Sequence, residues 1–450
     1  MLMHVSFPPQ SHTLHVLPHH RRRSNDRRIE ITALSKQGQR FFSSLAATAV
    51  TGGDENRVIK KFVAASPKSI ALEALSTLLS PESSHLRISG LALPLYLKIT
   101  EASWFEWNPK LVANLAASLD KQEQCDESES LISDSIAKLQ SRERELALFY
   151  CELVTSHSKH GSNRGFDCSL ARLDQLLRSS SSVYVKKQGY KAMASGLAEM
   201  GRVKEAEELI EEMRGKGIRA SQFEFRCVLY GYGRSGMFAD MQRIVGKMET
   251  EGIEVDTVSS NMILSSFGAR SALPEMATWL QKMRTLRIPC SIRTYNSVLN
   301  SCPTITSMMQ SSASSNGFPI SIQELVNNVT EAEAVLVGQL VESEVLNETM
   351  NWNASEAKLD LHGMHSSSAY VIILQWMDEL RERLSRGDGV IPAEVVVVCG
   401  SGKHSSVRGQ SPVKRLVKEI VVRTGSPLRI DRKNTGCFIA KGKVVKEWLC

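Results

Sequence analysis

From residue 57 to 180 apolar residues recur every three or four positions. They do so in Ile70, Ala71, Leu72, Leu75, Leu78 and Leu79, and again in Leu111, Leu115 and Leu119. That period belongs to amphipathic helices rather than strands. Ser80-Pro81, Asn108-Pro109 and Gly161-Ser162-Asn163 interrupt it, so the segment reads as short, degenerate helical hairpins. From residue 188 to 302 the pattern also repeats. Gly201 precedes Gly236 by 35 residues, and Met213, Met248 and Met283 keep that step. So do Tyr190, Phe225, Ser260 and Tyr295, and Gly217 with Gly252. The clearest unit, Gly189 to Ser221, predicts two helices around a turn at Met200-Gly201-Arg202. Val203, Ala206, Leu209, Ile210 and Met213 share one face of its second helix, which Gly215 and Gly217 stop. One hairpin cannot bury that face alone. Stacked copies can, and they form a solenoid with an extended concave surface. A fourth copy begins at Ile292 and breaks off by Cys302.

Residues 303–321 are Ser-rich, with Pro and Gly at their edges, and read as a linker. Helical spacing returns over 322–350 at Leu325, Val329, Leu336, Leu340 and Val345. The segment 303–356 is therefore expected to be a linker and a bridge of one or two helices. From 357 the period changes. Lys358–His362 predicts a short strand. Ala369, Ile372, Ile373, Trp376 and Leu380 mark a long helix from Ser366 to Leu384. The apolar run Glu394–Cys399 predicts a strand covered on both faces. Ser411-Pro412 opens a helix running to about Arg423. Two strands follow, Leu428–Ile430 and Cys437–Ala440, around Asn434-Thr435-Gly436. The expected fold class is an α-helical repeat solenoid, an α-α superhelix, followed by a small α/β domain ordered β-α-β-α-β-β over 357–450.

Composition narrows the function. The 450 residues are 42% hydrophobic and 23% charged, ordinary for a folded chain. No window approaches the roughly 18 apolar residues of a spanning helix, so no membrane insertion is expected. The nine cysteines never fall as C-x-x-C, which argues against a disulfide framework or a cysteine zinc site. The net charge of +7 is uneven. Residues 1–50 hold 7 Lys+Arg against 2 Asp+Glu, including Arg21-Arg22-Arg23 and Arg27-Arg28. Basic, Ser- and His-rich and acid-poor, this stretch reads as a disordered organelle transit peptide. The alternative is a basic arm for an acidic partner. Residues 401–450 hold 12 Lys+Arg against 3 Asp+Glu within sequence predicted to fold, which marks a polyanion-binding face. The sequons at Asn328, Asn347 and Asn353 carry no weight without a secretory route.

The repeat is similar to the pentatricopeptide repeat. The likeness rests on the starting aromatic, the mid-repeat Gly, the Ala206/Leu209/Met213 helix and the Gly217-Ile218 end. The resemblance implies binding of single-stranded RNA at about one base per repeat. It also implies that the residue after the aromatic reads the base together with the last residue of the repeat. Here those pairs are Lys191 with Ser221, Arg226 with Asp256, and Asn261 with Ser291, followed by Asn296 alone. Asn261/Ser291 resembles a usual pair and implies a pyrimidine. Lys191 and Arg226 depart from the pattern and suit phosphate contact instead. The bland alternative is a solenoid that binds protein or spaces the ends.

Two motifs mark the C-terminal domain. In Leu359-Asp360-Leu361-His362-Gly363, alternation puts both leucines on one face and Asp360 and His362 on the other. In Cys399-Gly400-Ser401-Gly402-Lys403-His404, glycines free backbone amides for an anion beside a lysine and a histidine. A P-loop does not fit: Val397 stands where its first Gly is needed, and His404 where it needs Ser or Thr. The two motifs together resemble the small MutS-related, or Smr, domain, although members joined to pentatricopeptide repeats usually show an aromatic in the loop. The combined chain resembles plant organellar proteins of this two-part kind, which implies a chloroplast or, alternatively, a mitochondrion. It implies an endonuclease acting on RNA, with DNA and organelle RNA-processing proteins as further partners. For RNA, the 2′-hydroxyl is an internal nucleophile. His362 is then the candidate base, Asp360 its assistant, and His404 the acid. Gly400, Gly402 and Lys403 would hold the phosphate. No cofactor is required. One carboxylate and two histidines make no convincing metal site, and dependence on a divalent metal stays open. The alternative is a non-catalytic RNA-binding factor for transcript stabilisation, processing or translation. His365 reads as a bystander.

Overall fold

The computed structural model describes residues 34–81, 89–310, 319–385, 391–400 and 411–450. The first helices among these residues are α1 (Lys36–Thr51), α2 (Glu55–Ala65), α3 (Lys68–Leu78) and α4 (Ala92–Thr100). Helix α1 corrects one expectation, because disorder does not extend to residue 50. Phe41, Phe42 and Leu45 lie on one side of α1 and are buried, with Phe41 stacked on Phe62. An apolar stripe of this kind folds wherever a neighbouring helix covers it. The Arg runs that suggested a transit peptide precede residue 34 and lie outside the described residues.

Five hairpins follow: α5/α6 (Pro109–Lys121, Cys125–Leu139), α7/α8 (Glu143–His160, Asn163–Ser179), α9/α10 (Val183–Glu199, Val203–Gly215), α11/α12 (Gln222–Ser235, Phe238–Thr250) and α13/α14 (Thr257–Gly268, Leu273–Thr285). Their turns share one device. Glu123, Gly161, Gly201, Gly236 and Ser271 all adopt positive φ, between 53° and 76°. A left-handed residue there ends the first helix and reverses the chain. The first two turns set the register of the degenerate region, which periodicity alone had left open. First helices stack directly on one another, from α5 through α7, α9, α11 and α13 to α15 (Ile292–Leu299). Second helices are splayed. The first-helix layer is therefore the tighter, inner side of the curve. Val203, Ala206, Leu209, Ile210 and Met213 are all buried, as are Met248 and Met283 one and two repeats on.

The segment expected as a linker and one or two helices is more helical than that. Helix α16 (Pro303–Gln310) takes up the start of the expected linker, and the described residues of the bridge form three short helices, α17 (Ile322–Asn328), α18 (Glu331–Val341) and α19 (Val345–Thr349). Helix α18 packs on α14 and α15, where the second helix of the sixth hairpin would belong. The sheet then starts earlier than expected. Strand β1 (Met350–Trp352) lies in the segment read as a bridge and pairs antiparallel with β2 (Glu356–Asp360). Helix α20 (Ser366–Ser385) crosses to β3 (Glu394–Val398), parallel to β2. After α21 (Pro412–Thr424) come β4 (Arg429–Ile430) and β5 (Cys437–Lys441), in the sheet order β1-β2-β3-β5-β4. A last helix, α22 (Gly442–Leu449), was not anticipated.

Val395 and Val397 face α20, α21 and α22 and are buried, whereas Val396 and Val398 are only half-buried. The β3 strand is thus fully covered on one face, not on both. Among the described residues the unit is a two-layer sandwich, with no second helical layer on the other sheet face. Helix α20 packs on α15, continuing the inner stack of the solenoid.

Candidate nucleic-acid interface

The inner helices carry the residues singled out from the repeat. Ser221, Asp256 and Ser291 are the N-caps of α11, α13 and α15. Their side-chain oxygens accept from helix amides, the usual N-cap role. Ser221 and Ser291 complete capping boxes with Glu224 and Thr294. Two of the predicted pairs make contact, each between one hairpin and the next. Arg226 Nη2 donates to Asp256 Oδ2 at 2.5 Å, and Asn261 Nδ2 donates to Ser291 Oγ at 3.3 Å. Burial pushes the Asp256 carboxyl up, but the Ser259 amide and hydroxyl and the Arg226 guanidinium outweigh it. The carboxyl is held below its ordinary value. Arg226, expected to reach for phosphate, is engaged instead by Asp256, Gln222 and Ser259. Asn261 is buried, with Oδ1 accepting from Thr294 Oγ1 at 2.7 Å.

Lys191 differs. Its ammonium lies 5.8 Å from the Phe223 ring centroid, and among the described residues no carboxylate lies within ion-pair reach of it. The same 35-residue step places Gln188, Phe223, Val258 and Arg293 one helical turn earlier on this layer. The sequence reading missed them, although the step that found Lys191 would have found them too. Val258 and Arg293 are exposed, and Phe223 is half-buried. In the degenerate hairpins, the position ten residues before the turn holds Ala113 and Cys151. Ala113 is buried, and burial raises the Cys151 thiol to about 12. Neither suits a base edge.

Asn296 is not presented to the open groove. Its Nδ2 donates to Gly363 O at 2.9 Å, and its Oδ1 accepts from His365 N at 2.9 Å. One turn on, Asn300 Nδ2 lies 2.6 Å from His365 Nδ1. His365 thus has a structural part at this junction. Desolvation against this helix lowers its pKa, although the side chain keeps an exposed edge.

In the C-terminal unit, Leu359 and Leu361 are buried, Asp360 is half-buried and His362 is exposed. Asp360 Oδ1 accepts from the His362 backbone amide at 2.9 Å. The carboxylate thus organises the end of the strand. Gly400, at φ +76°, sits beside the His362 ring: a Cβ built on it would lie 3.5 Å from His362 Nδ1. Gly402, Lys403 and His404 lie outside the described residues. Helix α21 follows them in the chain, its N-terminus capped by Ser411. Burial raises the Cys399 thiol to about 12.

Pairing places Asn351, Lys358, Val396, Ile439 and Arg429 in one row across the sheet. Asp360, Val398 and Cys437 form the next row. Lys358 shares the open face with Asp360, because paired residues and alternate residues point the same way. Arg432 and Lys433 follow on the β4–β5 turn, whose Gly436 O accepts from Cys399 N at 2.9 Å. Among the described residues, no group of three or more His, Cys, Asp or Glu side chains is placed to hold a metal. Among them, too, no helix is long and apolar enough to cross a membrane.

Stacked two-helix units with a small sheet appended define a helical-hairpin repeat protein. Comparison with known proteins narrows the class. The PPR repeat model matches residues 190–218, and the pentatricopeptide repeat domain model matches 208–270 and 243–304. Pentatricopeptide repeat-containing protein At2g17033 of Arabidopsis thaliana is 59% identical over 419 residues, covering 93% of this chain and 82% of its own length. The chain belongs to the pentatricopeptide repeat family. Another Arabidopsis thaliana relative, pentatricopeptide repeat-containing protein At1g18900, is 30% identical over 91 residues, 20% of this chain and 10% of that one. Among solved structures, pentatricopeptide repeat protein PPR10 from maize aligns over 86% of this chain and 51% of its own, with 16% identity and a TM-score of 0.37. This chain therefore matches about half the length of that structure. PPR10 in complex with an 18-nt psaJ RNA element aligns over 61% of this chain and 51% of its own, at 14% identity and a TM-score of 0.26.

Proposed function

We propose that this protein is an RNA-binding factor of organelle RNA metabolism. Its hairpin solenoid holds single-stranded RNA, and its C-terminal α/β unit, read as a small MutS-related domain, cleaves the strand. Family membership supports the first half, since repeats of this kind bind one base per helical unit. The observation that carries the second half is the meeting of His362, Asp360 and Gly400 on the sheet face that also carries Lys358 and Arg429. His362 takes the 2′-hydroxyl proton, and the oxygen attacks phosphorus. The 5′-oxygen leaves with a proton from His404. The products are a 2′,3′-cyclic phosphate and a 5′-hydroxyl. The Gly400 and Gly402 amides and Lys403 hold the phosphate oxygens as charge builds on them. The basic segment before residue 34 directs the protein to the chloroplast. DNA is a second polyanion this face would accept, and proteins of organelle RNA processing are its partners in that setting.

A second reading is RNA binding without cleavage. It is favoured by the Asp360 carboxylate, which bonds the His362 backbone rather than its ring. Incubating the full chain with end-labelled RNA, with and without chelator, separates the two. Cleavage should persist in chelator, leave cyclic-phosphate ends and disappear in His362→Ala. Tight binding with no cleavage sensitive to that substitution establishes the second reading.

A further inference from the structure

The 35-residue step puts Asn296 where Lys191, Arg226 and Asn261 stand in the hairpins before it. By repeat logic it is the fourth base reader. Its side chain is engaged elsewhere. One end of the amide donates to Gly363 O and the other accepts from His365 N, both at 2.9 Å. The partners are a backbone carbonyl and a backbone amide, so the orientation of the side chain is determined: a flipped amide would set two acceptors and two donors against each other. Asn300, the C-cap of the same helix, adds a third bond, to the His365 ring. On the other side of His362, Asp360 holds the His362 amide. The backbone carrying His362 is thus pinned on both flanks, by its own strand and by the last inner helix of the solenoid.

We infer that Asn296 is a positioning residue and not a base reader. It locks the turn after His362 to the end of the inner helix layer. An RNA strand leaving the fifth hairpin at Asn261 then meets His362 at one fixed distance. Base reading stops at Asn261, and the lock sets which phosphodiester lies over His362. This inference rests on the proposed cleavage reading for its consequence, but not for its structural core.

The test uses the full chain with Asn296→Ala, Asn296→Asp and Asn300→Ala. Asn296 is half-buried on a helix surface, and alanine favours helices. Amide hydrogen exchange is read first, without RNA. The amides of residues 362–366 should exchange about tenfold faster in Asn296→Ala, as expected for losing two hydrogen bonds of ordinary strength. Asn296→Asp keeps an acceptor for His365 N but loses the donor to Gly363, so it should fall between. Asn300→Ala should have the smallest effect. RNA is read second. Asn296→Ala should keep its affinity within about twofold and its base preference at every position, while cuts spread from one phosphodiester to several neighbours. Unchanged exchange at 362–366 overturns the inference, and so does loss of preference at a single base. If the wild-type chain cuts no RNA, the cleavage reading fails by itself, and the exchange result still decides whether Asn296 locks the turn.

Discussion

The solenoid and the C-terminal unit handle positive charge in opposite ways. Along the outer helices of the repeats and their caps, cations are tied to carboxylates of the adjoining hairpin: Arg202 to Asp167, Arg243 to Glu207, Lys247 to Glu211, Lys282 to Glu249 and Arg214 to Glu251. The step of about one repeat between partners makes this a ladder, so the outer surface is neutralised as it is built. Among the described residues of 411–450, Arg423 alone finds a carboxylate, Glu419. Lys414, Arg415, Lys418, Arg429, Arg432 and Lys433 have no such partner. Charge already paired in the fold has little left for phosphate, whereas unpaired charge releases counterions when a polyanion arrives. The same residue types thus hold one region together and leave the other ready to bind.

The largest effect expected is structural. A Cβ at Gly442 would lie 1.9 Å from the Pro392 carbonyl oxygen, a backbone atom with little room to move. Gly442→Ala should destabilise the C-terminal unit by about 3 kcal/mol. Stacked repeats depend mainly on their neighbours, so urea unfolding should show an early transition confined to this unit. A single coincident transition would make the two regions one cooperative body. Next is charge. Replacing Arg429, Arg432 and Lys433 with Glu should cut affinity for single-stranded RNA about a hundredfold at 0.1 M salt and flatten its salt dependence. Lys247→Ala with Lys282→Ala should change affinity no more than about twofold, and an equal loss from both sets would erase the contrast.

Acid should act on the solenoid first. His160 Nε2 lies 2.8 Å from Asn114 Oδ1, and burial, reinforced by His157, Lys121 and Lys159, lowers its pKa to about 4. Burial likewise lowers His157. Both are neutral when folded, and the unfolded chain binds a proton first, near pH 6.5. Stability from this pair is therefore complete above that pH and falls as pH drops towards 4, by about 2–3 kcal/mol for His160. Urea midpoints at pH 7.5 and 4.5 would check this, and His160→Gln should flatten the dependence. The smallest effect is on the ladder itself. Arg243→Ala removes the partner of Glu207, whose carboxyl is held at about 2 chiefly by Arg243. It should cost about 1 kcal/mol at low salt, with RNA affinity unchanged in a filter-binding assay.

Local periodicity carried much of the architecture. The stripe from Val203 to Met213, the 35-residue step and the Ser411-Pro412 helix start each involve residues near in sequence, and each can be read without knowing what they pack against. The leucines of the Leu359–Gly363 motif fell inward by simple alternation. Elements formed by pairing with distant chain escaped: Met350–Trp352 is too short to show a period and exists through β2. Helix α22 spans eight residues and offers only Val444, Val445, Trp448 and Leu449 as a signal.

The sequence by itself determined that hairpins repeat, where helices begin and which faces are apolar, because these follow from backbone geometry over a few residues. Only the tertiary structure decided the use of the polar side chains. Arg226 could reach phosphate or Asp256, and Asn296 a base or the Gly363 turn. Which partner wins depends on what the folded chain brings within 3 Å, and no local spacing encodes that distance.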